Sequence, residues 1–230
     1  MNDLLMLLAA FHGPATELHT GFSHGDIVDV VDLLNLLPDF GSEVSGHACM
    51  EAAVGETVDY LDTVVITLAT SAPGYTTYRL VASLHDTAAN LYSIEGTADA
   101  PMQFPAAYQV ASPFGADVGG ASPAFFPIAN NAAMGFAEFD SWLTVGPTDG
   151  SSAGALSTIG IDFSTWSEYN VLFVEDGSVF WMEPSAAPGG DVTVAQLTVP
   201  SGSSGTAYMG MQGHATGGGD WDVHHVVFSY

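Results

Sequence analysis

A strictly alternating stretch, Thr193-Val194-Ala195-Gln196-Leu197-Thr198-Val199, is the clearest sign of how this chain folds. Polar Gln196 and Thr198 fall on one side of an extended backbone, and apolar Ala195 and Leu197 fall on the other. Successive side chains of a strand point to opposite faces of a sheet. The pattern therefore predicts a half-buried β-strand with one face on the core.

Similar stretches follow one another from about Val54 to the end of the sequence. They are rich in Val, Thr, Tyr and Phe, and 26 Gly and 12 Pro favour turns between them. We therefore predict a mainly β fold, a jelly-roll-like two-sheet antiparallel β-sandwich with a small N-terminal helical segment. The clearest predicted strands are Thr57 to Ala69, Tyr75 to Leu84, Asn90 to Glu95, Phe136 to Val145, Tyr169 to Val174, Ser178 to Met182, Val192 to Val199, Thr206 to Gln212 and Trp221 to Tyr230.

The stretch from Pro101 to Pro127 interrupts this pattern with five prolines and five aromatic residues. Proline cannot donate a hydrogen bond inside a sheet, so central strands are not expected here. We predict a long ordered loop that its aromatic side chains pin to the sandwich. Long loops in compact domains are often functional, which makes this loop a candidate contact surface.

The charge balance limits the classes of partner. The chain has 26 Asp and Glu residues against a single Lys or Arg, Arg79, and a net charge of −25. Nucleic-acid binding depends on Lys and Arg that displace counterions from phosphates, so that class is excluded. Strong acidity favours cation binding and an extracellular setting, where ions screen the self-repulsion. The longest apolar run, Leu4 to Phe11, is too short to span a membrane.

A repeated motif marks the N-terminal part of the chain. The pattern Asp-Leu-Leu-x-Leu-Leu-x-x-Phe occurs at residues 3–11 and again at residues 32–40. Each copy begins with an Asp that can cap a helix, and each is followed by a Gly that can end one. We predict two short helices, with residues 1–46 as a helical segment and residues 47–230 as the sandwich domain.

The residues before the second copy, Gly21 to Asp32, resemble the calcium loop of a type I dockerin repeat. The resemblance covers residues 1–41 and implies an EF-hand-like loop that binds calcium through oxygen ligands. Gly21 and Gly25 stand where this family has carboxylates, so the alternative is a helix pair kept for packing alone. The candidate calcium ligands are Ser23, Asp26, Asp29 and Asp32.

The β-rich part gives no indication of catalysis. Residues 108–115, 139–146 and 194–200 resemble segments of uncharacterised secreted proteins of aquatic microbes, which implies an extracellular location and no particular activity. The sequence has no Gly-x-Ser-x-Gly elbow or other nucleophile motif. We therefore expect that the chain is not an enzyme.

Histidines and aspartates gather near the end of the chain. His214, His224 and His225 lie close in sequence to Asp220 and Asp222, and such a set could hold a transition metal. Neighbouring residues of a strand point to opposite faces. We therefore predict that His224 and His225 do not share one site.

Apolar segments at both ends of the sequence indicate self-association. The run from Leu4 to Phe11 is apolar all round as a helix and needs a partner surface, and the final strand can extend the edge of a neighbouring sheet. We expect an extracellular structural protein that assembles with copies of itself into a filament or surface layer. The expected interface residues are Leu4, Leu5, Leu7, Leu8, Phe11, Val226, Phe228 and Tyr230.

The alternative function is a carbohydrate-binding or adhesion module with glycans as partners. Such a module needs aromatic rings exposed along one sheet face. We predict instead that the tryptophans anchor the core of the sandwich. The residues that decide between the two are Trp142, Trp166, Trp181 and Trp221.

Overall fold

The computed structural model describes residues 60–150 and 154–230. Contacts between residues group Thr57–Tyr230 as one compact unit. The predicted helical segment, the dockerin-like repeat and the predicted domain boundary lie outside the described residues and stay predictions. Among the residues that are described, no helix combines the length and apolar content needed to cross a bilayer.

Short strands joined by turns make up most of the described chain. They are β1 (Leu61–Thr67), β2 (Tyr75–Leu84), β3 (Ser93–Gly96), β4 (Met102–Phe104), β5 (Asn130–Asn131), β6 (Gly135–Phe136), β7 (Trp142–Leu143), β8 (Leu156–Ile159), β9 (Leu172–Val174), β10 (Gly177–Trp181), β11 (Asp191–Pro200), β12 (Thr206–His214) and β13 (Asp220–Ser229). One short helix, α1 (Phe126–Ala129), and the 3-10 turns Pro123–Phe125, Ala137–Phe139, Phe163–Thr165 and Pro184–Ala186 lie in the connections.

The strands form two main antiparallel sheets. The small sheet has the order β1-β2-β11-β7. The large sheet has the order β8-β10-β3-β12, and β13 pairs with the other edge of β12. Strand β4 follows β3 along β12 and pairs in turn with β9, while β5 and β6 form a separate hairpin. The predicted mainly β, two-sheet antiparallel sandwich is confirmed.

The core lies between the two main sheets. Leu80 and Leu197 point inward from the small sheet, and Ile94, Met209 and Phe228 point inward from the large sheet. All five side chains are fully buried. Each contributes roughly 1.5–3 kcal/mol of hydrophobic stabilisation.

Two predicted strands show where local pattern succeeds and where it fails. The strand predicted from Tyr75 to Leu84 is confirmed as β2, but the one predicted from Phe136 to Val145 is wrong. Only three residues of that stretch lie in strands, Phe136 at the end of β6 and Trp142–Leu143 in β7, with a 3-10 turn at Ala137–Phe139. The physical reason lies at Asp140, whose carboxylate accepts from the N–H of Ser141 within the stretch and from the N–H groups of Val110 and Ala116 in the preceding loop.

The proline-rich stretch differs from the prediction in one part. Met102 and Phe104 lie in strand β4 and are fully buried, so this end of the stretch does enter a sheet. The remainder is an ordered loop with its own small core, as predicted. Aromatic side chains pack there around Val110, Ala129 and Ala137; they belong to Tyr108, Phe114, Phe125 and Phe126.

Strand β11 is buried on both faces, so the prediction of a half-buried strand is wrong. Gln196 is 1% exposed and Thr198 is fully buried. Residues 105–146, called the covering segment below, wrap the free edge and the outer face of β11. The Tyr108 N–H donates to the Thr198 carbonyl at 2.7 Å, and Gln196 Nε2 donates to the Asp140 carbonyl at 2.8 Å.

Candidate metal site on the open face of the large sheet

The outer face of the large sheet carries acidic, histidine and aromatic side chains. Glu95 on β3 points outward because its neighbour Ile94 is fully buried in the core. Gly210 on β12 lies opposite Glu95 and leaves space for it. A Cβ atom at Gly210 would stand 3.1 Å from Glu95 Cγ. The Glu95 side chain therefore lies across β12.

A β-bulge places two histidines beside Glu95. Val223 pairs with Met211 and Val226 pairs with Met209, so His224 and His225 both stand opposite Gly210. His225 has a φ of 58°, and both imidazoles are exposed. Neighbouring residues of a regular strand point to opposite faces, but the extra residue of the bulge breaks this alternation and both histidines lie on the open face. The prediction that they do not share one site holds, because the cluster of possible ligands contains His224 and not His225.

The two histidines make different contacts on this face. The His225 ring lies 4.8 Å from the Tyr208 ring, measured between centroids. His224 Nε2 lies 3.4 Å from Asp222 Oδ2. Only His224 therefore joins a carboxylate.

Glu95, Asp222 and His224 form the candidate metal site. One ligand atom from each residue lies within 4.8 Å of the other two. Ligand atoms that bond one ion tetrahedrally at about 2.0–2.2 Å stand about 3.3–3.6 Å apart, so the three side chains must rotate to bring these atoms closer together. One imidazole with two carboxylates suits ions of intermediate softness such as zinc and manganese.

The electrostatics of the face favour a cation. Burial raises the pKa of the Glu95 carboxyl, the nearby Asp222 raises it further, and His224 lowers it. Burial also raises the pKa of Tyr92, and the negative charges of Asp220, Glu95 and Asp222 add to that shift. A bound cation would offset this repulsion between like charges.

Sequence reasoning found part of this site. It singled out Asp222 and His224, and the structure brings these two together. It missed Glu95, whose only sequence signal is its outward position next to Ile94 in a short strand. His214 and Asp220 form a separate pair, with His214 Nδ1 at 2.6 Å from Asp220 Oδ1.

The predicted interface residues of the last strand pack against other residues of the same chain. Val226 is 7% exposed and Phe228 is fully buried in the core. Tyr230 is half-buried, and its ring lies 5.0 Å from that of Tyr78. Strand β13 pairs with β12 along its length, and the side chains of Val226 and Phe228 complete the chain's own sandwich. The other edge of β13 has no strand partner among the described residues, so its pairing with a second copy stays a prediction.

The other predicted site residues lie outside the described residues and stay predictions. They are the candidate calcium ligands Ser23, Asp26, Asp29 and Asp32 and the interface residues Leu4, Leu5, Leu7, Leu8 and Phe11.

The tryptophans anchor the core, as predicted. Trp142, Trp166 and Trp221 are at most 4% exposed. Trp181 is half-buried, packs against the core and donates through Nε1 to the Val145 carbonyl at 2.6 Å. These four residues therefore form no exposed platform for a sugar.

Comparisons with models of known protein families, with curated proteins and with solved structures find no match to this chain.

Proposed function

We propose that this chain is an extracellular structural protein that assembles with copies of itself into a filament or surface layer. The observation that carries the proposal is the edge strand β1. Within the described part of the chain, β1 pairs only with β2, in a register without a shift from Leu61 to Thr67. Its outward side chains Val64 and Ile66 are 41% and 46% exposed.

Natural edge strands are normally protected from pairing with other chains. Lysine, proline, bulges and very short length are the common means of protection. Strand β1 is seven residues long and has none of these features. Its one charged residue, Asp62, pairs within the chain with His85 Nε2 at 3.1 Å. The edge is therefore suited to antiparallel pairing with β1 of a second copy.

Pairing of one edge with itself is a two-fold contact and gives a closed dimer. A polymer needs a second, different contact, and the predicted apolar segment from Leu4 to Phe11 is the candidate for it. Each copy carries a net charge of −25, and the repulsion between copies opposes association. Cations that screen this repulsion would therefore assist both contacts. The carboxylates at Glu95 and Asp222 are one place where divalent ions would gather.

The test combines two variants and one control, measured by sedimentation velocity and negative-stain imaging. Val64→Lys with Ile66→Lys puts two charges on the edge, and we expect polymers to be lost. Ile128→Lys with Met134→Lys makes the same charge change at side chains that are 59% and 49% exposed and lie away from β1. We expect this control to assemble normally.

The second contact has its own variant. Leu5→Asp with Leu8→Asp should stop assembly at the dimer if the N-terminal segment supplies the second contact. If the β1 variant keeps its fold by circular dichroism and still forms normal polymers, the edge proposal is wrong. If a chelator at low ionic strength changes neither particle size nor thermal stability, the role of divalent cations is wrong.

A further inference from the structure

A small pocket lies where β2 begins and β11 ends. Tyr75 and Pro200 are paired neighbours at this end of the small sheet. The pocket has a volume of about 140 Å³. Its lining residues are Tyr75, Ala106, Ala107, Tyr108, Glu168, Tyr169 and Pro200. We call it the tyrosine pocket.

Hydrogen bonds hold two of its three tyrosine rings in place. The Tyr75 hydroxyl donates to Glu168 Oε1 at 2.6 Å, and the Tyr108 hydroxyl accepts from the Phe136 N–H at 3.3 Å. The Tyr75 and Tyr108 rings lie 4.9 Å apart, tilted by 57°. The hydrogen bond to Glu168, together with burial, raises the pKa of Tyr75 to about 12.

The third tyrosine ring, that of Tyr169, lines the pocket and lies mostly in water. Tyr169 is 88% exposed. Packing within the chain removes little of this side chain's surface from water, so hydrophobic burial holds it in place only weakly. The position of Tyr169 beside Glu168 at the rim of the pocket gives it a use in binding.

The dimensions of the pocket restrict the ligand. Ligand sites for drug-sized molecules measure roughly 300–1,000 Å³, so the tyrosine pocket holds a single small group. A water molecule takes about 30 Å³ in the liquid, so the pocket has room for roughly five heavy atoms. A quaternary nitrogen with its four carbon substituents is a group of that size.

We propose that the tyrosine pocket binds a methylated ammonium group. Aromatic rings attract a cation that lies within about 6 Å of their centroids, and Glu168 supplies a full negative charge beside them. A primary ammonium is strongly hydrated and needs acceptors for three N–H groups. A quaternary ammonium, in which carbon replaces every hydrogen on the nitrogen, needs none, and its methyl groups match Ala106, Ala107 and Pro200. The net charge of −25 concentrates cations around the whole chain.

Choline is the probe for the test, with chemical shifts of backbone amides as the readout on the full chain. We expect choline to shift the amides of residues 106–108 and 168–169. The neutral isostere, in which carbon replaces the nitrogen, should bind much more weakly. Glu168→Gln keeps an acceptor for the Tyr75 hydroxyl, and Tyr169→Ala removes only an exposed ring. Each should lower the affinity for choline about three- to tenfold.

Phe173→Ala is the matched control, because Phe173 is also an exposed aromatic residue, at 48%, and does not line the pocket. We expect it to leave choline binding unchanged. A peptide with trimethyllysine distinguishes the sources of the group: tighter binding than choline indicates a protein ligand, and weaker binding indicates a free small molecule. The proposal is wrong if the neutral isostere or an unmethylated lysine peptide binds as tightly as its methylated counterpart, or if both pocket variants bind choline like the original chain.

Discussion

Gln196 and Gln212 occupy equivalent places in the two sheets. Each lies on a strand with partners on both sides, and each points away from the shared core. Gln196 is 1% exposed because the covering segment lies over it. Gln212 is partly exposed on the open face of the large sheet.

The polar groups on the two faces also differ in the hydrogen bonds and charges that surround them. On the small sheet Gln196 accepts from Arg79 Nε and donates to the carbonyls of Glu138 and Asp140. On the large sheet Glu95 lies beside Asp222 with its pKa raised by burial and by that neighbour. On the covered face Gln196 is satisfied within the chain and serves the fold, whereas Gln109 Nε2 is buried there without a hydrogen-bond partner. On the open face the carboxylates of Glu95 and Asp222 lie side by side with His224.

Replacing each glutamine with alanine should reveal the largest difference in stability between the two faces. Gln196→Ala leaves the Glu138 and Asp140 carbonyls without a donor in a buried place, and we expect a loss of about 3 kcal/mol in the free energy of unfolding. Gln212→Ala should cost less than about 0.5 kcal/mol. Urea denaturation of both variants at the same pH measures this, and equal losses would contradict the division of the two faces.

Asp140 gives the covered face a pH dependence of its own. Its carboxylate accepts from the N–H groups of Val110, Ala116 and Ser141 at 2.7, 2.7 and 3.0 Å. Burial raises the pKa of Asp140 from 3.8 to about 7, although these three hydrogen bonds lower it in part. The folded chain therefore holds a proton in a range of pH where the unfolded chain has released it.

We expect this carboxyl to make the folded state less stable as the pH rises from about 4 to about 7. The unfolded state binds fewer protons there, so the slope is negative and reaches at most about 1.4 kcal/mol per pH unit. Asp140→Asn removes the titration, and its unfolding free energy should lack this component. Urea denaturation of both chains across the range is the measurement, and parallel pH profiles would disprove the assignment.

The smallest expected effect on stability is that of a metal ion bound to the open face. Zinc or manganese at about five times its dissociation constant should stabilise the chain by about 1 kcal/mol, because the ion binds only the folded arrangement. Glu95→Gln and His224→Ala should each remove this stabilisation. His225→Ala, which changes the other histidine of the bulge, should keep it. Thermal denaturation with and without the ion tests this, and a shift that persists in the first two variants would exclude the site.

The alternation of residues predicted much of the sandwich because it reports how one strand divides its side chains between two faces. It succeeded for β2, where both the start at Tyr75 and the end at Leu84 match the prediction. It failed for the outer side of β11, because local alternation contains no information about the covering segment that arrives from elsewhere in the chain.

The candidate metal site was only partly predictable for the same reason. Asp222 and His224 are close in sequence, but their partner Glu95 comes from β3 through strand pairing with β12. The bulge at His224 and His225 depends on a register shift between β12 and β13, which no pattern of hydrophobic residues encodes. Likewise, the interruption of the predicted strand at Phe136 to Val145 depends on two distant backbone donors, Val110 and Ala116, to the Asp140 carboxylate.

The position of Arg79 has a consequence for proteolysis. A protease that cleaves only after Lys or Arg has one target in the entire sequence, the bond that follows this residue. That bond lies in β2, which is hydrogen-bonded to β1 on one side and to β11 on the other. A protease must bind its target as a free extended segment, so cleavage requires that the small sheet first come apart. Digestion with trypsin should therefore produce two fragments in a single step, at a rate set by how often that sheet opens.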